Sequence, residues 1–234
     1  MDYFSQSQTD KASTVQRMFD EVAPKYDCFN AVLSMGLDSL WRKRAILRLQ
    51  KDLPKEGFIL DMGCGSGDLA GDLQHQHAVL GADFCYGMLK EARRKFKNIP
   101  FAQADATALP FKSNVLRGLV SAFVIRNIDG LPKAFGEFHR CLVPGGKVAI
   151  LEFSLPKNPM VRFGFLSYLK IMFPIACSLF GGDTEAYVYL RKSIQDFGTR
   201  IDVCRHLKEA GFASISATPL LFGGVTLYEA QKPH

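Results

Sequence analysis

The stretch Phe58-Ile59-Leu60-Asp61-Met62-Gly63-Cys64-Gly65-Ser66-Gly67-Asp68 decides the fold. Its apolar first half has the length and composition of a buried strand. Its alternating glycines allow a sharp turn without Cβ interference, and Asp68–Gln76 beyond them carries apolar residues near helical spacing. A buried strand entering a helix through a glycine turn is the opening unit of a doubly wound α/β sheet.

Working outward, Ala78–Asp83, Val115–Phe123 and Lys147–Phe153 repeat the apolar strand pattern, with a shorter strand ahead of Asp105. Gly87–Lys97 and Leu131–Cys141 read as crossover helices, so the alternation predicts a mostly parallel sheet with helices on both faces. Pro144-Gly145-Gly146 cannot continue a helix and predicts a tight turn before the strand at Lys147. A last helix, Ile201–Ala210, is stopped by Gly211, and Ser214–Thr218 and Val225–Ala230 read as a closing antiparallel hairpin.

One domain over 1–234 is expected, with two regions outside the repeating unit. Residues 1–56 read as helical at Thr14–Asp20 and Leu40–Gln50, and 155–198 form an insertion; substrate-specific structure is expected in both. Val161–Phe180 is strongly apolar, but Arg162, Lys170 and Pro174 interrupt it, so a membrane-spanning helix is not expected.

An apolar content of 47% excludes a disordered chain. The six cysteines are scattered, without a C-x-x-C pair or a histidine at zinc-ligand spacing, so neither disulfides nor a metal site is expected. Met1–Lys11 is polar with an early Asp2, unlike a secretion signal, and a reduced cytoplasmic protein is the expectation. The net charge of +6 is compatible with anionic partners or with solubility alone. The basic residues are spread over helices with no recognised RNA-binding motif, so no nucleic acid is expected.

The turn at Asp61–Gly67 has the form D-x-G-x-G-x-G, which differs from the dinucleotide G-x-G-x-x-G spacing. It resembles the first motif of class I methyltransferases, whose cofactor is S-adenosyl-L-methionine. Asp83, closing the next strand, is suited to accept hydrogen bonds from ribose hydroxyls, and Asp105 with Ala106 would lie beside the adenine. Asp61, Gly63, Gly65, Ser66, Gly67, Asp83, Asp105 and Ala106 are thus the candidate cofactor residues. The bland alternative is a tight turn with Asp83 and Asp105 capping helices.

Val15-Gln16-Arg17-Met18-Phe19-Asp20 through Tyr26-Asp27-Cys28-Phe29-Asn30, then Phe123-Val124-Ile125-Arg126-Asn127, Pro144-Gly145-Gly146 and Leu151-Glu152-Phe153-Ser154, narrow the likeness. Over nearly the whole chain the sequence resembles the menaquinone/ubiquinone-biosynthesis C-methyltransferase family. That resemblance implies a Rossmann-like class I fold with a mostly parallel seven-stranded sheet, and methylation of a ring carbon of a reduced prenylated quinol, demethylmenaquinol first. Arg126 is the candidate to stabilise the developing oxyanion and Asn127 to orient the hydroxyl or a water, since the end of the fourth strand borders the cleft. Tyr26, Asp27 and Asn30 are candidate lid residues, and Tyr187 and Tyr189 candidate pocket residues; helix capping and ordinary aromatic packing are the alternatives. The Phe163–Phe180 stretch could take a prenyl tail, touch the inner face of a membrane, or pack on the sheet.

The sequence departs from the family pattern at Val124-Ile125 (usually Gly-Leu), Asp38 and Tyr228 (usually His) and Gly198 (usually Pro). A benzoquinol or another lipophilic acceptor is the alternative within the enzyme class. An RNA methyltransferase and a catalytically silent regulator are the alternatives outside it. Prenyl tail length, the catalytic base and the oligomeric state are not legible in the sequence.

Overall fold

A computed structural model describes residues 23, 26–180 and 184–234. Two helices, α1 (Tyr26–Leu33) and α2 (Asp38–Gln50), precede the alternating unit of β1 (Phe58–Met62), α3 (Asp68–Leu73), β2 (Val79–Asp83), α4 (Tyr86–Lys95), β3 (Phe101–Gln103) and β4 (Leu116–Ala122). A short 3-10 turn at Ile125–Asn127 leads to α5 (Leu131–Cys141) and β5 (Leu142–Phe153). The insertion is two helices, α6 (Pro159–Phe180) and α7 (Thr184–Arg200), followed by α8 (Val203–Glu209), β6 (Ala213–Leu220) and β7 (Val225–Gln231).

The strands form one sheet in the order β3-β2-β1-β4-β5-β7-β6. The first four neighbouring pairs are parallel and the last two antiparallel. Between β1 and β4 the chain reverses its direction of travel across the sheet, and in such sheets the crevice beyond the strand C-termini at that point is where ligands bind.

Strand alternation divides the core into two layers. Leu60, Met62, Val148 and Ile150 face Phe135 and Phe138 of α5 and Leu207 of α8. Ile59, Val120, Ala149 and Leu151 face Trp41 and Leu49 of α2, Leu69 of α3 and Leu89 of α4. Both faces of the central strands are therefore buried, which is why they read as continuous apolar runs.

One expectation from sequence is corrected. Pro144-Gly145-Gly146 does not end before the strand: β5 begins at Leu142 and runs through it, with a register shift that pairs Leu142 with Leu116 but Lys147 with Gly118. Gly145, at φ +76, absorbs this irregularity, and its N–H is taken up by the Lys232 carbonyl at 3.0 Å. Pro174 lies inside α6, which continues through it to Phe180. Lys170 and Pro174 are both exposed, so water can satisfy the carbonyl that proline leaves without its helical donor. No helix among the described residues is long and apolar enough to cross a membrane. The helix expected at Thr14–Asp20 lies outside the described residues.

Phe138 is fully buried between α5 and the sheet, whereas Leu47 on α2 is 68% exposed. Phe138→Ala is expected to lower the unfolding free energy by about 3–5 kcal/mol in urea denaturation. Leu47→Ala should stay within about 0.5 kcal/mol of the parent.

Candidate active site

Gly63, Gly65 and Gly67 take φ values of +72, +53 and +88, a left-handed run open to glycine and strained for other residues. A Cβ on Gly63 would collide with both methyl groups of Val124, so the turn and the segment after β4 close on each other only because that position carries no side chain. The Gly63 and Cys64 N–H groups donate to the Ala82 carbonyl at 2.7 and 3.0 Å, binding the turn to the end of β2.

Two buried carboxylates hold the turn from beneath. Asp61, at 1% exposure, accepts the Ala70 N–H of α3's first turn at 3.0 Å. Asp83, at 9% exposure, accepts the Gly65 N–H on one oxygen and the Cys85 N–H on the other, each at 2.8 Å. Burial raises Asp83 above the ordinary carboxylate range, against the pull of these N–H donors. Asp105, beyond β3, is exposed and accepts the backbone N–H and the hydroxyl of Thr107 at 2.8 and 2.9 Å; Ala106 beside it is buried. Three acidic side chains thus stand at the C-terminal ends of three adjacent strands.

Helix α1 is latched onto this turn. Asp27 accepts from the buried Ser66 hydroxyl and from the Lys95 ammonium of α4, the latter at 2.8 Å, while Lys95 also pairs with Asp68. Asn30, half-buried, follows one turn later on the same helix. Tyr26 opens α1 and Tyr187 lies in the first turn of α7.

The second pole lies beyond β4 and β5. The Arg126 side chain is 5% exposed, and its Nη1 donates to Glu152, itself 0% exposed, at 2.8 Å and to the Phe123 carbonyl. Glu152 also accepts the backbone N–H groups of Arg126 and Phe153, and the guanidinium lies 5.3 Å from the centre of the Phe153 ring. Nε of Arg126 is buried and has no hydrogen-bond partner among the described residues. Tyr189 of α7 donates its hydroxyl to the Asn127 side-chain oxygen at 3.2 Å, and burial raises the Tyr189 phenol. A cavity of about 330 Å³ opens here, lined among others by Ile125, Arg126, Ile128, Tyr189, Phe197 and Ile201.

Sequence reasoning did not single out Glu152 or Lys95. An acid inside the apolar run of β5 was the available signal for the first, because a buried carboxylate requires a partner. Lys95 gave none, being one of three consecutive basic residues at the end of an amphipathic helix.

Residues 6–232 match the model of a family described as the ubiE/COQ5 methyltransferase family. The chain belongs to the ubiE/COQ5 methyltransferase family. It is 37% identical over 229 residues to a demethylmenaquinone methyltransferase of Chlorobaculum parvum, covering 96% of this chain and 95% of that one. It is 35% identical over 227 residues to a 2-phytyl-1,4-naphtoquinone methyltransferase of Thermosynechococcus vestitus, covering 94% of this chain and all of the other. Among solved structures, an S-adenosyl-L-methionine-dependent methyltransferase fold from Methanococcus maripaludis superposes with a TM-score of 0.64 at 20% identity, covering 92% and 94% of the two chains. Phosphoethanolamine N-methyltransferase 2 of Haemonchus contortus, solved with S-adenosyl-L-methionine, gives 0.59 at 18% identity over 82% of this chain and 53% of that one. The protein is a methyltransferase, and its methyl donor is S-adenosyl-L-methionine.

Three of the positions read from sequence as departures from the family pattern have local partners in the fold. Val124 fills the space above Gly63. Asp38 accepts from Ser34 at 3.0 Å and pairs with Arg42 at the start of α2. Gly198 lets Leu155 pack within 2.8 Å of where a Cβ would stand.

Desolvation of the wholly buried Asp61, only partly offset by the Ala70 N–H, pushes its pKa from the ordinary 3.8 to about 8. The folded chain therefore holds this proton more tightly than the unfolded chain. Its stabilising contribution is complete below about pH 4 and is lost as pH rises through about 8. Asp61→Asn keeps an acceptor for Ala70 without the charge and is expected to flatten the fall in thermal midpoint over that range. An unchanged slope would contradict the assignment.

Proposed function

We propose that this methyltransferase acts on a ring carbon of a reduced, prenylated naphthoquinol, converting demethylmenaquinol to menaquinol. The acceptor class comes from the names of its full-length relatives. The structural observation that carries the reading is Arg126, a mostly buried arginine held in place by Glu152 that lines a cavity beyond β4.

Bound S-adenosyl-L-methionine supplies an electrophilic methyl group. The glycine turn, with Asp61, Ser66, Asp83, Asp105 and Ala106, is suited to hold it: the turn offers a surface without side chains, and Asp83 and Asp105 keep acceptor capacity toward hydroxyl and amine donors. Asp27 closes α1 over this turn, and with Tyr26 and Asn30 it forms the lid that keeps water from the reacting centre.

A quinol that loses a hydroxyl proton becomes a phenolate whose ortho carbon is nucleophilic. Arg126 stabilises that charge from the wall of the cavity, and Glu152 keeps the guanidinium from turning away. Tyr189 occupies the Asn127 side-chain oxygen, which leaves the amide NH2 as the group to orient the acceptor's hydroxyl or a water. Residues 155–198 form the wall of the acceptor pocket, with Tyr187 on α7, and the prenyl tail brings the enzyme to the inner face of a membrane. The test is turnover of chemically reduced demethylmenaquinone beside a prenylated benzoquinol.

The naphthoquinol is expected to be preferred, and Arg126→Met should lower kcat by roughly 10²–10³-fold with little change in KM for the donor. Asp83→Ala should instead raise that KM by about tenfold or more, having lost a charge-assisted acceptor. Donor binding without turnover of either quinol would overturn the acceptor assignment.

A further inference from the structure

Helix α6 turns an apolar face away from the protein. Met160, Phe163, Ile171 and Ile175 are 84, 76, 60 and 44% exposed, and Gly164 and Pro174 are exposed beside them. At helical spacing these positions fall on a single stripe. The orientation of the helix is fixed from the other side: Leu169 is buried, Phe165 packs where Gly224 has no side chain, and the Tyr168 hydroxyl donates to the Leu33 carbonyl at 2.9 Å. The exposed stripe is the face left over once the helix is docked.

Two further exposed apolar side chains belong to segments that contact α6. Met35, 61% exposed, lies in the turn just after Leu33. Phe222, 87% exposed at φ +54, projects from the β6–β7 connection, whose Gly223 and Gly224 lie against Pro156 and Phe165. Large apolar side chains left exposed together on one helix face mark an interaction site. Its charge selects the partner: from Lys157 to Phe180 the chain carries Lys157, Arg162 and Lys170 and no acidic residue. Two copies of so basic a segment would repel one another, whereas an anionic lipid surface attracts it.

We propose that the outer face of α6 is a docking surface for an anionic bilayer. The helix lies in the plane of the interface, with Met160, Phe163 and Ile171 entering the boundary between headgroups and acyl chains and Lys157 and Lys170 meeting lipid phosphates. The proposal deepens the quinol reading, which supplies the reason for meeting a lipid: a prenylated acceptor reaches the enzyme from within the bilayer. The physical argument for the surface rests on α6 itself.

The experiment is co-sedimentation of the full chain with quinone-free vesicles, either phosphatidylcholine alone or phosphatidylcholine rich in phosphatidylglycerol. The wild-type chain is expected to partition onto the anionic vesicles and to be released by salt. Replacing Met160, Phe163 and Ile171 together by serine should weaken partitioning by about tenfold or more with the thermal midpoint retained, since these side chains are exposed. Lys157→Glu with Lys170→Glu should abolish the preference for phosphatidylglycerol. A wild-type chain that stays in the supernatant with both vesicles overturns the proposal, as does a serine variant that sediments like the parent. So does a dimer, seen by sedimentation velocity, that the serine variant dissolves. Vesicle binding with no methyl transfer to quinols would sink the acceptor assignment and leave the docking surface standing.

Discussion

Asp83 takes the N–H of Gly65 on one carboxylate oxygen and that of Cys85 on the other, and the site is assembled around that pair of bonds. A left-handed run of three glycines has no conformational preference strong enough to define itself. It becomes a single shape because Asp83 pins its middle, Asp61 ties β1 to the start of α3, and the Ala82 carbonyl takes the N–H groups of Gly63 and Cys64. Both carboxyl groups are buried, a cost that the N–H groups facing them offset only in part.

The second pole is built on the same principle with the charge reversed. Arg126 and Glu152 sit at the ends of neighbouring strands and neutralise one another where water is excluded. Removing a charge from water is expensive, and such a pair is a poor device for stability compared with apolar packing. Its value is positional: Glu152 is itself held by the backbone N–H groups of Arg126 and Phe153, so it fixes where the guanidinium sits. The Asp27 latch adds a third element, joining α1 to the glycine turn through Ser66 and Lys95 across a long stretch of sequence.

Much of this was legible in the sequence because it is local. β1 is a run of apolar residues buried on both faces, and its strand, turn and helix follow one another without a gap; the closing hairpin and the stop at Gly211 are similarly written in neighbouring residues. What escaped depends on partners distant in the chain. Glu152 lies in the strand after Arg126, and nothing in either segment names the other. Lys95 resembles the other basic residues at the end of α4 until α1 folds onto it. The extension of β5 back to Leu142 was hidden because Pro144-Gly145-Gly146 has the composition of a turn, yet the carbonyl of Lys232, from the far end of the chain, makes an irregular strand of it. Pro174 sits within α6 without ending it, since an exposed helix can lose one internal hydrogen bond to water and continue.

Two cradles, one lined by glycine backbone and one by a buried arginine, face a common edge of the sheet, an arrangement suited to bringing a methyl group up to an electron-rich carbon. The most direct measurement is carbon-13 NMR of the product formed from reduced demethylmenaquinone and S-adenosyl-L-methionine labelled in its methyl group. The label in a methyl group bonded to the naphthoquinol ring carbon is the result the account predicts. The label in a methyl ether on the quinol oxygen, or in no quinol product at all, would contradict it.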